Sequence, residues 1–493
     1  MAPDPTASNS ATSNPTAPKC AFVIFGMSGD LAARKLVPAL YRLHLDHQLH
    51  PETQIIGYAR SDYDDAAIRE KMEEALKDYV DDFDAEAWGS LKSRIYYVQG
   101  PYDEAKGYKK LSKKLDELKL ENRAFYTATP PQAYTGIVKC MAAAGLNSSQ
   151  GWTRVIIEKP FGTDLESAKQ LNDEVLDVFE ESQVYRIDHY LAKETAQNIS
   201  ALRFANTLFE PIWSNRYIDH VQITMSEPMG MEGRGGFYEE AGVIRDVFQN
   251  HLLQLLALVA MEPPTRYDAG SVRSEKVKVF EATTCLGLKS AVLGQYVAGN
   301  GLSAYRDEEG VAKNSRQATY AAVTLEVCNW RWTGVPFYLR SGKALNMKAT
   351  EIVLKFKQQP HIPFDIAKPP ADRLVLRVVP NEGISFRFNA KQPGQGVDLK
   401  RASMNFYYDE AFNTRAPDAY ETLILDAMRG DATLFMRADE VEAQWRIVDP
   451  LLNEWESAKT PPVFYEAGSW GPKEADELLE DAGRYWHRPG GNA

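Results

Sequence analysis

The stretch AFVIFGMSGDL, Ala21–Leu31, sets the expected fold of the first part of this chain. Its first five residues form an unbroken apolar run, which is typical of a central strand in a parallel sheet. A glycine turn follows at once, and Leu31–His44 then has the pattern of a helix. Gly26 and Gly29 would let backbone N–H groups and the helix N-terminus approach a pyrophosphate. This shortened GxxG is a weaker signal than the full GxGxxG fingerprint, so alone it only suggests a dinucleotide site.

Short apolar runs and helical patterns alternate after this turn. The runs lie at Ile95–Val98, Ala124–Thr127 and Arg154–Ile157, and the helical patterns lie at 66–79, 104–120, 131–144 and 164–181. This βαβ rhythm is typical of a doubly wound parallel sheet. We therefore expect an α/β, Rossmann-like dinucleotide-binding domain over residues 19–187.

The second expected strand, Gln54–Tyr58, ends where a Rossmann domain meets the adenosine ribose of its cofactor. An acidic residue there accepts the 2′-hydroxyl of NAD, whereas an arginine would neutralise the 2′-phosphate of NADP. Arg60 stands at this position and predicts NADP. A surface arginine without a ligand is the competing interpretation of this one residue.

The stretch RIDHYLAKE, Arg186–Glu194, gathers four chemically active side chains at an expected strand-to-helix junction. Ligands of α/β proteins bind at such strand ends. If the helix begins early, His189 and Lys193 are four residues apart and project from one side, where they could hold one anion. Asp188 would then point elsewhere. An ion-paired, solvated helix start explains the same residues equally well.

Another lysine, Lys159, follows the expected strand Val155–Ile157 at the carboxyl edge of the sheet, where cofactor and substrate would meet. The next residue is Pro160, which fixes the turn. A cis bond between the two is expected to be compatible with such a turn.

Length, charge and cysteine usage bound the class of protein. A chain of 493 residues is expected to form two or three domains. Its net charge of −12 argues against a nucleic-acid partner, whose binding requires a basic surface. The four cysteines, Cys20, Cys140, Cys285 and Cys328, have no paired spacing and are predicted to be buried thiols in a reducing compartment.

Residues 1–18 consist of Ala, Pro, Ser, Thr and Asn with almost no large apolar side chain, so a disordered tail is predicted. This tail lacks the features of a signal or transit peptide. No later run has the length of a membrane span, so neither a membrane partner nor an anchor is expected. The simplest expectation is a cytoplasmic protein.

The second half has a different rhythm. Strand-like runs follow one another with few helices between them, at Asp219–Met225, Lys276–Ala282, Ser290–Tyr296, Tyr320–Val327, Phe337–Leu339, Glu351–Phe356, Leu374–Val379, Ile384–Asn389 and Ser403–Tyr407. Such a series predicts a large, mostly antiparallel sheet. Residues 188–493 are therefore expected to form a larger α+β domain.

Six motifs occur in one order along the chain: GMSGDLA (26–32), GYAR (57–60), EKPFG (158–162), RIDHYLAKE (186–194), IRDVFQNH (244–251) and RSGKALN (340–346). In this order the chain resembles the glucose-6-phosphate dehydrogenase family, from about residue 19 to its C-terminus. The pair formed by RIDHYLAKE and the histidine of QNH is the specific part of the likeness.

The resemblance implies oxidation of β-D-glucose 6-phosphate at C1 to 6-phospho-D-glucono-1,5-lactone with hydride transfer to NADP⁺, the first oxidative step of the pentose phosphate pathway. Two alternatives remain open from the sequence. The chain could be a dehydrogenase of another hexose phosphate, or one that also uses NAD. It could also be a non-catalytic NADP-binding regulatory subunit of the same fold.

The resemblance places the catalytic base at His251 and its carboxylate partner at Asp188. Loss of a hydroxyl proton requires a base that titrates near neutrality, which is the natural role of histidine. Asp246 is nearer in sequence, but if Gly242–Ala260 is one α-helix, residues 246 and 251 lie about 140° apart around it. Asp246 is therefore expected to bind substrate hydroxyls instead.

The resemblance also supplies the remaining site residues. The expected substrate ligands are Lys159, His189, Tyr190, Lys193, Glu227, Asp246, Lys343 and Lys348. The expected cofactor ligands are Gly26, Ser28, Gly29, Asp30, Leu31, Lys35, Arg60, Ser61, Tyr134 and again Lys159. No metal site is predicted.

The family's large sheet supplies its subunit interface, so a homodimer or homotetramer is implied. Three departures from the family pattern matter. Ala192 replaces a glycine, and Val379 replaces a glutamine that contacts substrate in some members. Ala349 and Val353 stand where some members have the basic residues of a second NADP site, so one NADP per subunit is predicted.

Overall fold

The apolar run Ala21–Phe25 is a fully buried strand in a computed structural model that describes residues 16–364, 366, 368–412 and 415–490. The described chain divides into two units. The first contains residues 16–158, 174–187 and 418–432, and the second contains residues 159–173, 188–417 and 433–490.

The first unit is built on a parallel sheet. Its strands are β1 (Ala21–Phe25), β2 (Gln54–Ala59), β3 (Ile95–Gln99), β4 (Arg123–Thr127), β5 (Thr153–Ile157) and β6 (Val184–Ile187). They lie in the order β6-β5-β4-β1-β2-β3, and each neighbouring pair is parallel. The predicted Rossmann-like, doubly wound arrangement is confirmed.

The helices of the first unit alternate with these strands along the chain, except for Ala419–Arg429, which comes much later. They are the π-helix Ala32–Leu36 and the α-helices Val37–Leu45, Asp65–Tyr79, Ala85–Lys92, Ala105–Glu117, Tyr134–Ala143 and Ala419–Arg429. The helix Leu165–Leu176 begins in the second unit and ends in the first.

The second unit contains a larger sheet. Its strands are β7 (Ile218–Ser226), β8 (Thr283–Cys285), β9 (Ala291–Val297), β10 (Tyr320–Val327), β11 (Pro336–Gly342), β12 (Ala349–Phe356), β13 (Arg373–Val379), β14 (Gly383–Lys391), β15 (Leu399–Tyr407) and β17 (Val463–Glu466). The two-residue strand β16 (Phe435–Met436) is not part of this larger sheet. The sheet order is β15-β14-β13-β12-β7-β11-β10-β9-β17, with β8 beside β10. Only the pairs β7/β11 and β9/β17 are parallel, so the predicted mostly antiparallel sheet is confirmed.

The helices of the second unit include one that stands where a strand was predicted. They are Glu194–Phe204, Gly235–Val243, the π-helix Ile244–Leu252, Leu253–Ala260, Ala269–Ala282, Tyr408–Phe412, Ala438–Ala458 and Glu474–Glu480. The strand predicted at Lys276–Ala282 is wrong, because these residues belong to the helix Ala269–Ala282. Asp268 starts this helix by accepting a 2.8 Å hydrogen bond from the N–H of Ser271.

The turn at Pro160, the cysteines and the N-terminal residues differ in how far they follow the predictions. The Lys159–Pro160 peptide bond is cis, as the turn allowed. Cys20 is buried, but Cys328 is exposed, so the prediction of four buried thiols is wrong. The predicted disordered tail lies outside the described residues except for 16–18, of which Ala17 is buried and donates to the carbonyl of Gln48. Among the described helices, we find none with the length and apolar character needed to cross a bilayer.

Candidate active site

The imidazole of His251 and the carboxylate of Asp188 meet inside the second unit. His251 Nδ1 lies 2.6 Å from Asp188 Oδ1, and the two residues are 3% and 1% exposed. The same oxygen accepts a 2.9 Å bond from the N–H of Tyr190, which fixes the carboxylate after the end of β6. An ionised carboxylate only accepts, so His251 Nδ1 carries the hydrogen and Nε2 keeps its lone pair.

Burial and charge act against each other in this pair. Burial would raise the pKa of Asp188, but the charge of His251 and their hydrogen bond outweigh it and bring that pKa to about 2. Burial lowers the pKa of His251, and the Asp188 carboxylate only partly restores it. At neutral pH the pair is therefore a carboxylate beside a neutral imidazole, which is the state of a general base.

His251 lies on a helix that differs from the predicted one. Gly242 has a non-helical φ of 61° and ψ of 176°, and Ile244–Leu252 forms a π-helix. The single α-helix predicted over Gly242–Ala260 is therefore wrong in its first half. A π-helix bonds residues five positions apart, so residues 246 and 251 stand one turn apart on the same side, and the expected separation of about 140° does not apply.

Asp246 pairs with a lysine and not with His251. Lys159 Nζ donates to the Asp246 carbonyl oxygen at 2.9 Å and to its Oδ1 at 3.2 Å. Burial would raise the pKa of Asp246, but the charges of Lys159 and Lys343 outweigh it and bring the pKa to about 2. Lys343 itself forms an ion pair with Glu227. Two lysines and two carboxylates, Lys159 with Asp246 and Lys343 with Glu227, therefore hold one another in place as donors and acceptors.

Two rings from the stretch RIDHYLAKE, those of His189 and Tyr190, pack against the imidazole of His251. The centroids of His189 and Tyr190 each lie 4.5 Å from the His251 ring. Burial, and then the charge of His251, hold the pKa of His189 well below its ordinary value, and Lys193 adds to this lowering. Because helix Glu194–Phe204 begins after it, Lys193 is an N-cap residue, and the helical relation proposed for His189 and Lys193 is wrong.

The remaining substrate candidate, Lys348, is exposed and lies just before β12. Ala192, the departure from the family glycine, is buried and does not have a positive φ, so its methyl group introduces no backbone strain there.

The glycine turn of the first unit is shaped for a close backbone approach. Gly26 has a φ of 88°, and a Cβ at this residue would lie 2.1 Å from the carbonyl oxygen of Ala128. Leu31 directly precedes the π-helix Ala32–Leu36. Ser28 Oγ lies 3.0 Å from Ser61 Oγ, so these two hydroxyls join the turns after β1 and β2. The turn therefore fits the pyrophosphate of a dinucleotide.

The side chain of Arg60 is exposed just beyond β2, 5.6 Å from the ring centroid of Tyr102. It lines a cavity of about 290 Å³ together with Lys106 and Lys110. These three cations outnumber the one carboxylate of the lining, Glu104, so the cavity fits an anionic group such as a 2′-phosphate.

Three cofactor candidates already have protein partners. Asp30 accepts from Arg34 at 2.7 Å, and Lys35 donates to Asp418 at 3.1 Å. The hydroxyl of Tyr134 is buried and donates to the Glu158 carbonyl at 2.9 Å. Tyr134 therefore stands in the interior of the first unit, supporting the residue before Lys159.

Some residues of the site were missed from the sequence. Lys71 Nζ donates to the Ser28 carbonyl at 2.7 Å, and Tyr190 Oη lies 3.4 Å from Thr350 Oγ1. Tyr238 is 3% exposed, and its ring centroid lies 5.6 Å from Lys343 Nζ. The Tyr238 hydroxyl makes no hydrogen bond within the described chain. A lone lysine, threonine or tyrosine carries no spacing signal, so no motif pointed to them.

Asp188, His189 and His251 also offer one ligand atom each within 4.8 Å of one another. The short hydrogen bond between Asp188 and His251 occupies one atom of each residue, as a proton-transfer pair requires. The prediction that the site uses no metal stays a prediction.

The comparisons with known proteins agree over nearly the whole chain. Two family sequence models match, "Glucose-6-phosphate dehydrogenase, NAD binding domain" over residues 23–198 and "Glucose-6-phosphate dehydrogenase, C-terminal domain" over residues 200–487. The glucose-6-phosphate 1-dehydrogenase of Aggregatibacter actinomycetemcomitans is 45% identical, with coverage of 96% of this chain and 98% of the relative. Glucose-6-phosphate 1-dehydrogenase 2 of Mycobacterium bovis is 44% identical, with coverage of 95% of each chain.

Solved structures agree as well. A structure described as "Glucose-6-phosphate dehydrogenase in complex with its substrate glucose-6-phosphate" has a TM-score of 0.91 and 38% identity, covering 96% of this chain and 99% of the other. The glucose-6-phosphate 1-dehydrogenase of Mycobacterium avium has a TM-score of 0.86 and 36% identity, with the same coverage. This chain belongs to the glucose-6-phosphate dehydrogenase family.

Proposed function

We propose that this protein oxidises β-D-glucose 6-phosphate at C1 to 6-phospho-D-glucono-1,5-lactone and passes the hydride to NADP⁺, with His251 as base. This reaction is the first oxidative step of the pentose phosphate pathway. The observation that carries the proposal is the buried 2.6 Å contact between His251 Nδ1 and Asp188 Oδ1 in a member of this family.

His251 takes the proton from the C1 hydroxyl at Nε2, because Nδ1 is engaged with Asp188. The C1–O bond becomes a carbonyl as the C1–H bond breaks, so the hydroxyl proton goes to His251 and the hydride goes to the bound NADP⁺. Asp188 then faces an imidazolium, whose charge it offsets within a buried environment. Both residues lie in the second unit, so the base is assembled within one unit.

The other side chains of the second unit bind and orient the sugar phosphate. His189, Tyr190 and Lys193 are the donors for the phosphate, and charge-assisted bonds of this type are the strong ones. The pairs Lys159–Asp246 and Glu227–Lys343 offer both donors and acceptors, which suits sugar hydroxyls that donate and accept. We assign the same substrate-binding role to Lys348, which is exposed and directly precedes β12.

The first unit would hold NADP⁺, which supplies the hydride acceptor when bound. Gly26, Gly29 and Leu31 would cradle the pyrophosphate, and Arg60 with Ser28 and Ser61 would meet the adenosine ribose and its 2′-phosphate. Asp30, Lys35 and Tyr134 would then act mainly by holding this turn and its neighbours in place. We propose residues 19–187 as the cofactor domain and residues 188–493 as the substrate and assembly domain.

We also propose a cytoplasmic homodimer or homotetramer. The expectation rests on the family resemblance and on the reducing environment that the unpaired cysteines suit. Light scattering of the purified protein measures the assembly, and fractionation of the native cell measures its compartment.

The test is NADPH absorbance with glucose 6-phosphate, compared with NAD⁺ and with other sugar phosphates. Replacing His251 by Asn should reduce turnover by about two to four orders of magnitude, because general-base action is lost. The matched control is His220→Asn: His220 is also buried and its Nδ1 lies 2.6 Å from a carboxylate oxygen, that of Asp219, but it lies outside the proposed site.

The outcomes separate the alternatives. Faster turnover of a different hexose phosphate would show that this compound, and not glucose 6-phosphate, is the preferred substrate. NADP⁺ binding without any turnover would indicate a regulatory subunit. Equal loss in the His251 and His220 variants would remove the special role of His251.

A further inference from the structure

A chain of buried polar side chains leads to the backbone next to His251. Lys276 Nζ donates to Gln254 Oε1 at 2.9 Å, and Gln254 Nε2 donates to Gln444 Oε1 at 3.1 Å. Gln444 Nε2 then donates to the carbonyl of Asn250 at 3.3 Å. The three side chains are at most 1% exposed, so each of these bonds lies in the interior of the second unit.

The direction of these bonds is set at one end. Lys276 can only donate, so Gln254 must present its oxygen to it and its amide hydrogens to Gln444. Gln444 must in turn accept from Gln254 and donate to Asn250. The ammonium is anchored by Glu440, whose Oε2 lies 2.7 Å away in a pair that is at most 1% exposed. One buried ion pair therefore orients two amide side chains.

The end of the chain is the π-helix that carries the base. The Asn250 side chain accepts a 2.7 Å bond from the N–H of His251 and donates to the carbonyl of Arg245 at 3.2 Å. Arg245 and Asn250 are five residues apart, which is the spacing of a π-helix. Asn250 thus bridges the turn from within, while Gln444 holds its carbonyl from helix Ala438–Ala458.

Stability alone does not explain this arrangement. A buried ion pair contributes little net stability compared with apolar residues of the same volume, because desolvation offsets the attraction. Two amides and an ion pair do, however, specify direction and distance, which an apolar contact does not. Their geometry points to placement of the helical turn between Arg245 and His251.

We propose that the chain from Lys276 through Gln254 and Gln444, together with Asn250, is a positioning device for His251. It keeps the turn π-helical, so that the imidazole faces Asp188 and shares one side of the helix with Asp246. These are positioning residues, since they act through the backbone of the base. This inference rests on the proposed function of His251.

The test is Gln444→Met, which keeps the side-chain length and removes the donor to Asn250. The kcat should fall about ten- to hundredfold, as expected for a small displacement of a catalytic group, while KM for both substrates stays within about twofold. The matched control is Gln222→Met. Gln222 is also buried, and its amide bonds Tyr485 and His487, away from the π-helix, so this variant should keep wild-type kcat.

A second variant, Gln444→Glu, tests the direction of the chain. A carboxylate at this position accepts from Gln254 but cannot donate to Asn250, whereas the protonated acid can. The ratio of its kcat to that of the wild type should therefore rise as pH falls. This variant also decides the question if Gln444→Met does not fold.

The inference would be overturned by a wild-type kcat in Gln444→Met, or by a rise in both KM values with unchanged kcat. It would also be overturned if the kcat ratio of Gln444→Glu to the wild type did not change with pH. Failure of the proposed function is distinguishable, because the wild type itself would then not turn over glucose 6-phosphate. An active wild type, a defective His251→Asn and an unimpaired Gln444→Met would overturn only the positioning role.

Discussion

The chemistry depends on the competition between burial and charge at His251. Burial favours the neutral imidazole, and the carboxylate of Asp188 favours the imidazolium. Burial prevails, so the pKa of His251 lies below its ordinary value of 6.5. The base is thus deprotonated at neutral pH, and kcat/KM should be constant near neutrality and decline on the acid side.

Asp188→Asn separates the two influences. Loss of the carboxylate removes the charge that raises the imidazole pKa, so the acid decline of kcat/KM should move to lower pH. The rate itself should fall by about 10²- to 10⁴-fold, because the amide can stabilise the wrong tautomer and does not offset the imidazolium. The measurement is the pH profile of kcat/KM for both proteins.

The substrate phosphate also titrates in this range, with a second pKa of about 6. Its contribution is the same for both proteins, which makes the shift between their profiles the informative quantity. An acid decline at the same pH in Asp188→Asn would show that His251 does not titrate in it.

Arg60 decides the choice of cofactor in this proposal. Arg60→Ala removes a charge-assisted contact of about 1.5–3 kcal/mol, which corresponds to roughly a ten- to hundredfold rise in KM for NADP⁺. The KM for NAD⁺ should change little, since NAD⁺ lacks the 2′-phosphate, and it serves as the internal control. Equal losses for both cofactors would contradict a contact between Arg60 and the 2′-phosphate.

At the scale of elements, periodicity predicted the parallel and antiparallel sheets but failed where two patterns competed. The segment Lys276–Ala282 reads KVKVFEA, with apolar side chains at alternate positions like a strand. In the structure it completes the helix Ala269–Ala282, whose start is capped by Asp268. A cap several residues upstream and burial of Val279 and Phe280 outweighed the local preference.

The π-helix could not be predicted from periodicity either. Sequence patterns are read at 3.6 residues per turn, and one π turn changes the facing of residues without changing their apolar character. The residues of the site were identified by resemblance. The angle of about 140° predicted between Asp246 and His251 was wrong, because it assumed an α-helix where the structure has a π-helix. Asn250 and Gln444 support that π-helix from positions 194 residues apart, which no local pattern reveals.

The backbone departs from helical geometry at Gly242, two residues before the π-helix that carries His251. The φ of Gly242 is 61°, and a Cβ would lie 2.3 Å from Gln317 Oε1. Gly242→Ala should therefore destabilise the protein by about 1–3 kcal/mol and lower Tm. Calorimetry or thermal denaturation measures the change.

The control for this prediction is Gly270→Ala, in the first turn of helix Ala269–Ala282. A Cβ there meets only Asp268 Oδ1, at 3.5 Å, and the residue has no positive φ. Its Tm should be unchanged or slightly higher. Equal Tm values for the two variants would show that the backbone at Gly242 tolerates a side chain.

At the scale of the whole molecule, the site residues of the second unit come from segments far apart in sequence. Lys159 and Asp246 are 87 residues apart, and Glu227 and Lys343 are 116 residues apart. Fold class followed from strand and helix rhythm, because that information is local. The pairing of these charges depends on sheet order, which the sequence does not reveal without a known relative.

The residues at positions 349 and 353 bear on the expected number of bound cofactors. With a net charge of −12, the chain can bind an anionic dinucleotide only where cations are concentrated. The first unit has such a place, where Arg60, Lys106 and Lys110 line one cavity with Glu104. In the second unit, Lys355, Arg373, Arg484 and Arg488 line another cavity, of about 620 Å³, with Asp219. At two positions of the second unit where the resemblance gives some family members basic residues for a second NADP, this chain has Ala349 and Val353, which are buried and uncharged.

We therefore expect one NADP⁺ per chain, measured as a stoichiometry near one by isothermal titration calorimetry. A ligand that binds only the folded state adds about 2.7 kcal/mol of stability when its concentration is a hundred times Kd. Addition of NADP⁺ should therefore also raise Tm in a thermal denaturation experiment. Arg60→Ala should weaken this single event and leave no tight binding behind. A stoichiometry of two, or a tight event that survives Arg60→Ala, would mean that the second unit binds a dinucleotide without cations at residues 349 and 353.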